Sequence, residues 1–352
     1  MVGALLSTAE LVAVNLLLLA FDLWLLRRLH QRRDPKLLIT GLLAGFSLCG
    51  TVAMLLMLAG WSTVFGVMQL LCWALFLHGP VVILAAAAWI PKLRWMAILP
   101  LLSTALAIEA FVREPTALGV ETLQIPVQGL EEPYTILLIA DLQTDSVGDY
   151  ERQALAQVRA LEPDLLLWAG DYIQVYEPQG YQVQLQALRA EILGLSTPGL
   201  AVGGDIDGLG RWQDLFEGTQ TRALTQSQTL DVGPIAVTGL TLADSRSATP
   251  PIPSLDKPHV VFGHAPDFAL ARPDAELLLA GHTHGGQVQL PGIGPLMTLS
   301  EVPREWASGV TQLSDASTLV VSRGVGLERA DAPRLRLFCE PQLVLIHLVP
   351  SP

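Results

Sequence analysis

The chain has 352 residues, 51% of them hydrophobic and 15% charged, which is enough sequence for more than one domain. Seven basic and four acidic residues precede residue 113, whereas fourteen basic and 29 acidic residues follow, so the net charge changes from +3 to −15. Such an acidic second part excludes nucleic-acid binding through bulk charge.

Four long apolar segments fill the first 112 residues. They cover residues 4–26, 37–59, about 62–89 and about 95–112. Each is long enough to cross a hydrocarbon core of ~30 Å, which takes ~20 helical residues. We therefore predict a four-helix transmembrane region over 1–112, followed by a linker over 113–130.

Basic residues between these segments predict their orientation. Arg27, Arg28, Arg32, Arg33 and Lys36 follow the first segment, and Lys92 and Arg94 precede the fourth. Loops rich in Lys and Arg stay in the cytoplasm. We therefore expect an integral protein of the plasma (inner) membrane, with the N-terminus and everything after Val112 on the extracytoplasmic side.

A few polar side chains interrupt the apolar segments, among them Asn15, Asp22, His78 and Glu109. Such residues can mark ion or proton paths. We favour a structural role, with Asp22 pairing with Arg27 one turn away near the membrane interface. The polar faces are too sparse for a transporter.

From residue 131 the pattern changes to short apolar runs separated by turn residues. The predicted strands are 134–140, 165–169, 199–203, 235–240, 258–262, 277–280, 318–322 and 343–348. Helical periodicity fits 150–161 and 182–194. Strands alternating with helices predict a layered α/β domain with a largely buried sheet over residues 131–352.

Polar side chains follow five of these strands directly. They are Asp141 and Gln143, Asp171, Asp205, His264, and the pair His282 and His284. The carboxyl ends of strands form the ligand-binding edge of open α/β sheets. Carboxylate, amide and imidazole ligands suit one or two divalent cations such as Mn, Fe or Zn. Two such cations can clamp a phosphoryl group and generate hydroxide at neutral pH, so the pattern predicts metal-assisted hydrolysis.

The stretch AGHTHGGQ, residues 280–287, is the most specific piece of this pattern. Residues i and i+2 of an extended chain point the same way, so His282 and His284 can converge on one ion. Gly281, Gly285 and Gly286 allow positive φ and close approach of backbone or ligand.

In this order the motifs resemble the calcineurin-like metallophosphoesterase superfamily, whose pattern is Asp-x-His, Gly-Asp, Gly-Asn-His-Asp/Glu, a lone His, and Gly-His-x-His. This chain has Asp141-Leu142-Gln143, Gly170-Asp171, Gly204-Asp205-Ile206-Asp207, His264 and Gly281-His282-Thr283-His284. The tail SRGVGLERADAPRLRLFCEPQLVLI is similar to the closing strands of membrane-anchored bacterial members. The resemblance covers residues 130–350 and implies a β-sandwich flanked by helices that holds two divalent metal ions.

The resemblance also implies roles for individual residues. Asp171 would bridge the two ions; Asp141, Gln143 and His284 would complete the first position, and Asp205, His264 and His282 the second. Asp171, His264 and Arg323 are the predicted catalytic residues, with Arg323 as the cation for a substrate phosphate oxygen.

Three positions depart from the family pattern. Gln143 stands where His is usual, Asp205 where Asn is usual, and Ile206 where the family has its catalytic His. General-acid catalysis is worth ~10²–10⁴-fold, so its loss predicts a preference for good leaving groups. Asp207 or Asp145 can offer a replacement proton, but we expect both to be solvated acids near a turn.

Two functions fit these observations. The first is a hydrolase of phosphodiester or pyrophosphate bonds, acting on a phosphorylated small molecule or a lipid-linked substrate near the membrane. The second is a degenerate member that binds metal or a phosphorylated ligand as a sensor or scaffold, which Gln143 and Ile206 favour. His259 and His347 are expected to be structural, while Tyr172 and Gln174 either line the substrate pocket or pack the loop.

Overall fold

The computed structural model describes residues 8–351 and divides into two compact units. One unit comprises Met1–Val112 with Glu328–Arg334, and the other comprises Arg113–Leu327 with Leu335–Pro352.

Helices make up the first unit. They are α1 (Thr8–Arg32), α2 (Pro35–Leu58), α3 (Val64–Trp73), α4 (Gly79–Trp89) and α5 (Ile98–Ile108). A π-helical turn, Ala74–His78, joins α3 to α4, and a 3₁₀ segment, Pro91–Ala97, precedes α5. The Asp34 side chain accepts a hydrogen bond from Lys36 N, and that of Thr63 from Gly66 N, so α2 and α3 each begin at a capping residue.

Within the described residues, three helical segments are long and apolar enough to cross a membrane. They are Pro35–Leu58, Val64–Trp89 and Pro91–Thr116, which correspond to the last three predicted spans. The first predicted span, 4–26, overlaps α1, and its residues 4–7 lie outside the described part of the chain. Asp22 and the Arg27-Arg28 pair break the apolar composition of α1.

The polar residues of the helices contact one another, and the predicted partner of Asp22 is wrong. Nδ1 of His78 lies 2.6 Å from Oδ2 of Asp22, and Nε2 of His78 lies 3.2 Å from Oδ1 of Asn15. Residues five apart in a helix do not share a face, so Asp22 turns toward His78 rather than Arg27. The structural role predicted for these side chains fits this three-residue network.

The second unit is an α/β domain with fourteen strands among the described residues. They are β1 (Gly119–Val127), β2 (Tyr134–Ile139), β3 (Leu165–Trp168), β4 (Gly199–Ala201), β5 (Thr221–Ala223), β6 (Gln228–Val232), β7 (Ile235–Gly239), β8 (His259–Phe262), β9 (Leu277–Ala280), β10 (Gln289–Leu290), β11 (Gly294–Pro295), β12 (Gly309–Ser314), β13 (Ser317–Val321) and β14 (Gln342–Pro350). Three helices accompany them: α6 (Asp149–Ala160), α7 (Pro178–Ile192) and the short α8 (Leu242–Ser245).

Two six-stranded sheets build the domain, in the orders β1-β14-β2-β3-β4-β5 and β12-β13-β9-β8-β7-β6. Strands β2, β3, β4 and β5 run parallel, as do β7, β8, β9 and β13. Side chains from both sheets, such as Leu138, Leu167, Phe262 and Leu279, form one buried core. A second core, which includes Leu155 of α6 and Leu188 of α7, packs on the other face of the first sheet. Strands that are buried on both faces explain the continuous apolar runs of the sequence.

All eight predicted strands and both predicted helices of the domain are present, with shifted ends. The structure differs at residues 113–130, because Gly119–Val127 within the predicted linker form β1 and pair in parallel with β14. On the exposed face of β1 the alternate residues Thr122 and Gln124 are polar, which makes the stretch inconspicuous as a strand. The short strands β5, β6, β10, β11 and β12 were not predicted either.

Candidate metal centre

The first sheet brings three carboxylates to one edge. Asp141 follows β2, Asp171 follows β3 and Asp205 follows β4, and these neighbouring strands are parallel, so their carboxyl ends meet. Asp141 is fully buried and Asp171 is 3% exposed. The strand-end pattern therefore predicted this edge correctly.

The second sheet brings imidazoles to the same centre. His264 follows β8, and His282 and His284 follow β9, again from adjacent parallel strands. The rings of His264 and His282 lie 5.1 Å apart, centre to centre. Both oxygens of Asp141 accept a hydrogen bond from the backbone N–H of His282, at 3.0 and 3.1 Å, which ties the two sheets together here.

Several site residues adopt a strained backbone. Twelve non-glycine residues of the described chain have positive φ, and five of them are predicted site residues: Asp141, Gln143, Asp171, His282 and His284. This left-handed region is uncommon for residues other than glycine, and such strain concentrates at functional sites. The sharp turns direct these side chains into the centre.

The glycines around the two histidines behave as predicted. Gly285 and Gly286 have φ of 59° and 76°. A Cβ on Gly281 would lie 2.7 Å from Oδ2 of Asp141, so only glycine lets the His282 loop approach that carboxylate.

Two groups of side chains have ligand atoms close enough for a metal ion. In one, Asp205, His264 and His282 place a ligand atom each within 4.8 Å of one another, and in the other Asp141, Asp171 and His264 do so. The first group matches the second predicted metal position. His264 belongs to both groups of the described residues and His284 to neither, so the exact sharing of ligands differs from the predicted division.

Backbone carbonyls fix the orientation of both imidazoles. Nδ1 of His264 lies 2.7 Å from the Ala169 carbonyl, and Nε2 of His282 lies 3.0 Å from the Leu299 carbonyl. Each ring thereby turns its other nitrogen toward the carboxylates. Metal-binding histidines are commonly held in this way, with the second nitrogen donating to a carbonyl.

Carboxylate oxygens surround the remaining nitrogens. Nε2 of His264 has no hydrogen bond among the described residues, although Oδ2 atoms of Asp171 and Asp205 lie 3.3 and 3.5 Å away. Nδ1 of His282 lies 2.9 Å from Oδ2 of Asp205. Buried nitrogen and oxygen ligands at these separations fit divalent cations of the Mn, Fe or Zn type.

The electrostatics of the centre favour a cation. Burial raises the pKa of Asp141 above its ordinary value; His264 opposes this shift and the charge of Asp171 adds to it. Burial by itself lowers the pKa of His264, but Asp171, Asp205 and Asp141 together raise it well above normal. Burial also opposes ionisation of Asp205, yet the ring nitrogens of His264 and His282 beside its carboxylate hold its pKa well below normal. Concentrated buried negative charge of this kind is relieved by bound cations.

Asp207 is not the solvated acid that the sequence suggests. It is 2% exposed, and its carboxylate accepts hydrogen bonds from the backbone N–H groups of Asp171 at 2.8 Å, Tyr172 at 3.0 Å and Gly204 at 2.7 Å. Burial raises the pKa of Asp207, and the charge of Asp171 adds to the shift. Asp207 thus fixes the loops that carry Asp171 and Asp205.

The other predicted residues lie around this centre. Gln143 is buried and donates a 3.1 Å hydrogen bond from Nε2 to Gln174, so Gln174 orients the Gln143 side chain. Tyr172 packs within the core, where its ring stacks on Trp212 and its hydroxyl donates to the Val202 carbonyl at 2.7 Å. Of the two alternatives for Tyr172, the structure therefore supports loop packing. The guanidinium of Arg323 donates to the Glu340 carbonyl at 2.9 Å and lies 3.9 Å from the Glu121 carboxylate.

Sequence reasoning missed Arg246. Its Nη2 lies 2.6 Å from Oδ2 of Asp205, which places a guanidinium beside the group formed by Asp205, His264 and His282. Arg246 follows the short α8 and does not follow a strand directly, so the strand-end pattern does not mark it.

The two histidines that were expected to be structural lie within strands and contact neighbouring threonines. His259 is 1% exposed and contacts Thr238 Oγ1 at 2.6 Å, and His347 is half-buried, with Nδ1 3.2 Å from Thr135 Oγ1.

Comparison with known proteins agrees with the motifs. Residues 134–286 match the model of the calcineurin-like phosphoesterases. The chain is similar to the uncharacterized metallophosphoesterase YkuE of Bacillus subtilis, with 35% identity over 91 residues, 25% of this chain and 30% of that protein. It is 32% identical over 102 residues to the phosphodiesterase YaeI of Escherichia coli, covering 28% of this chain and 36% of that protein.

A longer match is to a transmembrane protein with metallophosphoesterase domain of Danio rerio, 26% identical over 266 residues, 65% of this chain and 58% of that protein. The chain spans less than two thirds of the length of each of these relatives.

Proposed function

We propose that the protein is a membrane-anchored, metal-dependent hydrolase of phosphodiester or pyrophosphate bonds, and that residues 134–286, which match the model of the calcineurin-like phosphoesterases, carry its activity. The observation that carries the proposal is the convergence of Asp141, Asp171, Asp205, His264 and His282 at the meeting edges of two sheets. A relative named as a phosphodiesterase supports the diester class.

We assign the metal positions as the motif order implies. Asp171 would be shared by two divalent ions; Asp141, Gln143 and His284 would complete one position, and Asp205, His264 and His282 would complete the other. The two ligand groups support this set of ligands because together they contain five of the seven, although the residue common to both groups is His264. When bound, two divalent cations supply positive charge for the phosphoryl group and lower the pKa of a water molecule.

The protein's own residues set the remaining chemistry. Ile206, in place of the family's histidine, uses its backbone N–H to hold Oδ1 of Asp171 at 3.0 Å but offers no side-chain proton. Asp207 keeps its carboxylate on three backbone N–H groups. The departing oxygen therefore leaves without a dedicated acid, and substrates with good leaving groups, such as a pyrophosphate or an aryl ester, are preferred.

The membrane part extends the proposal. We take α1 as a fourth span beside the three apolar segments, with residues 1–112 as the transmembrane region and residues 131–352 as the catalytic domain outside the cytoplasm. Anchoring raises the encounter rate with a phosphorylated lipid, so we propose a lipid-linked substrate. A C-terminal reporter that is active only in the cytoplasm would contradict this orientation.

The test of the proposed function is hydrolysis of bis-p-nitrophenyl phosphate and p-nitrophenyl phosphate by the full chain in detergent, with Mn²⁺, Fe²⁺ or Zn²⁺. We expect metal-dependent turnover that favours the diester and falls by at least about 10³-fold in Asp171→Ala, because the bridging carboxylate is lost. Asp315→Ala is the matched control, since Asp315 is an exposed acid in the turn between β12 and β13.

Metal content is measured in the same samples. If none of the three metals supports hydrolysis and fewer than two ions are bound per chain, the proposed hydrolase function is overturned. That result would support the sensor or scaffold that Gln143 and Ile206 suggest.

A further inference from the structure

Arg246 lies beside Asp205 at a position that the sequence motifs do not account for. Oδ2 of Asp205 contacts Nη2 of Arg246 at 2.6 Å and Nδ1 of His282 at 2.9 Å, and lies 3.5 Å from Nε2 of His264. A single carboxylate oxygen thus separates the guanidinium from two nitrogen ligands of the metal-binding group.

The guanidinium is accessible as well as close. The Arg246 side chain is 47% exposed, whereas the Asp205 side chain is 28% exposed and the His264 side chain fully buried. Among the described residues its side chain contacts Asp205 through Nη2, and guanidinium carries five N–H donors in a planar fork. The accessible donors of that fork can therefore meet a ligand that enters the centre from solvent.

The backbone beneath Arg246 is held in place. Ser245 is buried, and its Oγ accepts the backbone N–H of Ala265, next to His264, at 3.3 Å. Thr241 caps α8 through the N–H of Asp244. The Asp244 carboxylate accepts hydrogen bonds from the hydroxyls of Thr241 and Ser227 and points toward them rather than toward the Arg246 guanidinium.

The net charge of the domain favours an additional cation beside the centre when the substrate is an anion. The second part of the chain carries 29 acidic against fourteen basic residues, so a phosphate group meets repulsion unless local cations reverse it. A planar guanidinium matches two oxygens of a phosphate, which a lysine does not. Ile206 contributes no charge where the family has a histidine, and Arg246 lies next to the same Gly204-Asp205-Ile206 turn through Asp205.

We infer that Arg246 binds the non-bridging oxygens of the substrate phosphate and supplies the positive charge that Ile206 cannot. This inference rests on the proposed function and adds a residue to it. Arg246 stabilises charge but donates no proton, because guanidinium stays protonated in proteins. The preference for good leaving groups is therefore retained.

The competing explanation is that Arg246 only neutralises Asp205. The family residue at position 205 is asparagine, which keeps an oxygen ligand without the charge, so Asp205→Asn provides the background that separates the two roles. If Arg246 acts through Asp205, its removal has no further effect once that charge is gone. If it contacts phosphate, its removal weakens phosphate binding in both backgrounds.

The experiment uses the full chain in detergent, loaded with Mn²⁺, and measures binding of inorganic phosphate by calorimetry together with metal content. Arg246→Met is compared with Arg246→Lys and with Arg152→Met, each with Asp205 and with Asn at that position; Arg152 is the matched control because it is an exposed arginine that pairs with Asp149 on α6. We expect Arg246→Met to weaken phosphate binding at least about tenfold, Arg246→Lys to weaken it less, and Arg152→Met to leave it unchanged, with equal metal content throughout. kcat/KM for the aryl diester falls on the order of 10²-fold in Arg246→Met.

Four results would overturn the inference. They are an unchanged phosphate affinity in Arg246→Met, an effect that disappears with Asn at position 205, a loss of metal in Arg246→Met, and a larger effect of Arg152→Met. Failure of the proposed function is seen separately, as phosphate binding without metal-dependent turnover in the unsubstituted protein.

Discussion

The helical unit and the α/β domain each contain a histidine beside an aspartate, but the second ring nitrogen of each histidine meets different groups. In the helical unit, both nitrogens of His78 contact side chains, Asp22 at 2.6 Å and Asn15 at 3.2 Å. In the domain, one nitrogen of His264 is fixed by the Ala169 carbonyl and the other faces two carboxylates without a hydrogen bond among the described residues.

The difference separates a structural network from a binding site. Three side chains that satisfy one another stabilise the packing of apolar helices. Imidazoles oriented by backbone carbonyls, and surrounded by more carboxylates than they can neutralise, provide ligands for a cation. We expect substitutions in the first network to change stability alone and those in the second to change metal binding.

The largest expected effect, on both stability and metal content, is that of replacing Asp207. Its carboxylate accepts its hydrogen bonds from backbone N–H groups of the loops that carry Asp171 and Asp205, so it supports both loops. Asp207→Ala leaves three buried backbone N–H groups without their acceptor, which costs about 3 kcal/mol or more and lowers the melting temperature by roughly 6–12 °C. Metal content falls in the same variant. Asp207→Asn keeps one acceptor oxygen, so its melting temperature should lie between those of the unsubstituted protein and Asp207→Ala. An unchanged melting temperature in Asp207→Ala would contradict the anchoring role.

Removal of His282 tests the domain side of the comparison. His282→Ala removes one of the three ligands in the group with Asp205 and His264. Losing a residue that only orients a metal ligand lowers metal affinity by about 10- to 100-fold, so losing the ligand itself should lower it by more than about 100-fold. Metal bound after dialysis is counted by elemental analysis. His347→Ala serves as the control, since His347 contacts Thr135 within the sheet; equal metal content in both variants would rule out His282 as a ligand.

Removal of His78 tests the helical side. His78→Ala leaves Asp22 and Asn15 without their common partner, and hydrogen bonds between membrane helices are worth about 1 kcal/mol. We expect a modest fall in the melting temperature in detergent, with metal content and hydrolysis of a soluble aryl diester unchanged. A loss of metal from His78→Ala would show that this network does more than stabilise the helices.

The sequence predicted the convergence of most of these side chains for a physical reason. Parallel neighbouring strands bring their carboxyl ends to one edge, and this places Asp141 beside Asp171 in the first sheet and His264 beside His282 in the second. Local chain geometry also predicted the glycines, since AGHTHGGQ needs close approach beside a carboxylate.

Other features depended on packing between distant segments, which no local pattern encodes. Asp207 looks like an exposed turn acid until three N–H groups from two loops converge on it. The partner of Asp22 lies 56 residues away on another helix. The predicted linker hid β1, because one face of an edge strand is polar and its partner β14 comes at the far end of the chain.

The smallest expected effect concerns pH and a third histidine, His259, which lies inside the domain against Thr238. Burial lowers the pKa of His259, with partial opposition from Asp274 and Glu276, so the folded protein holds it neutral. The unfolded chain takes up a proton near its ordinary pKa of about 6.5, and stability falls wherever the unfolded state binds more protons. As the pH decreases through about 6.5, the folded state therefore loses stability, and the loss levels off below the lowered pKa.

His259→Gln removes that proton uptake while keeping a polar side chain beside Thr238. The melting temperature of the unsubstituted protein should consequently fall more between pH 7 and pH 5 than that of His259→Gln. The comparison of the two slopes is needed because His264, whose pKa is raised, titrates with the opposite sign in the same protein. Parallel slopes would mean that His259 is protonated in the folded state as readily as in the unfolded chain, and its burial against Thr238 would then carry no electrostatic cost.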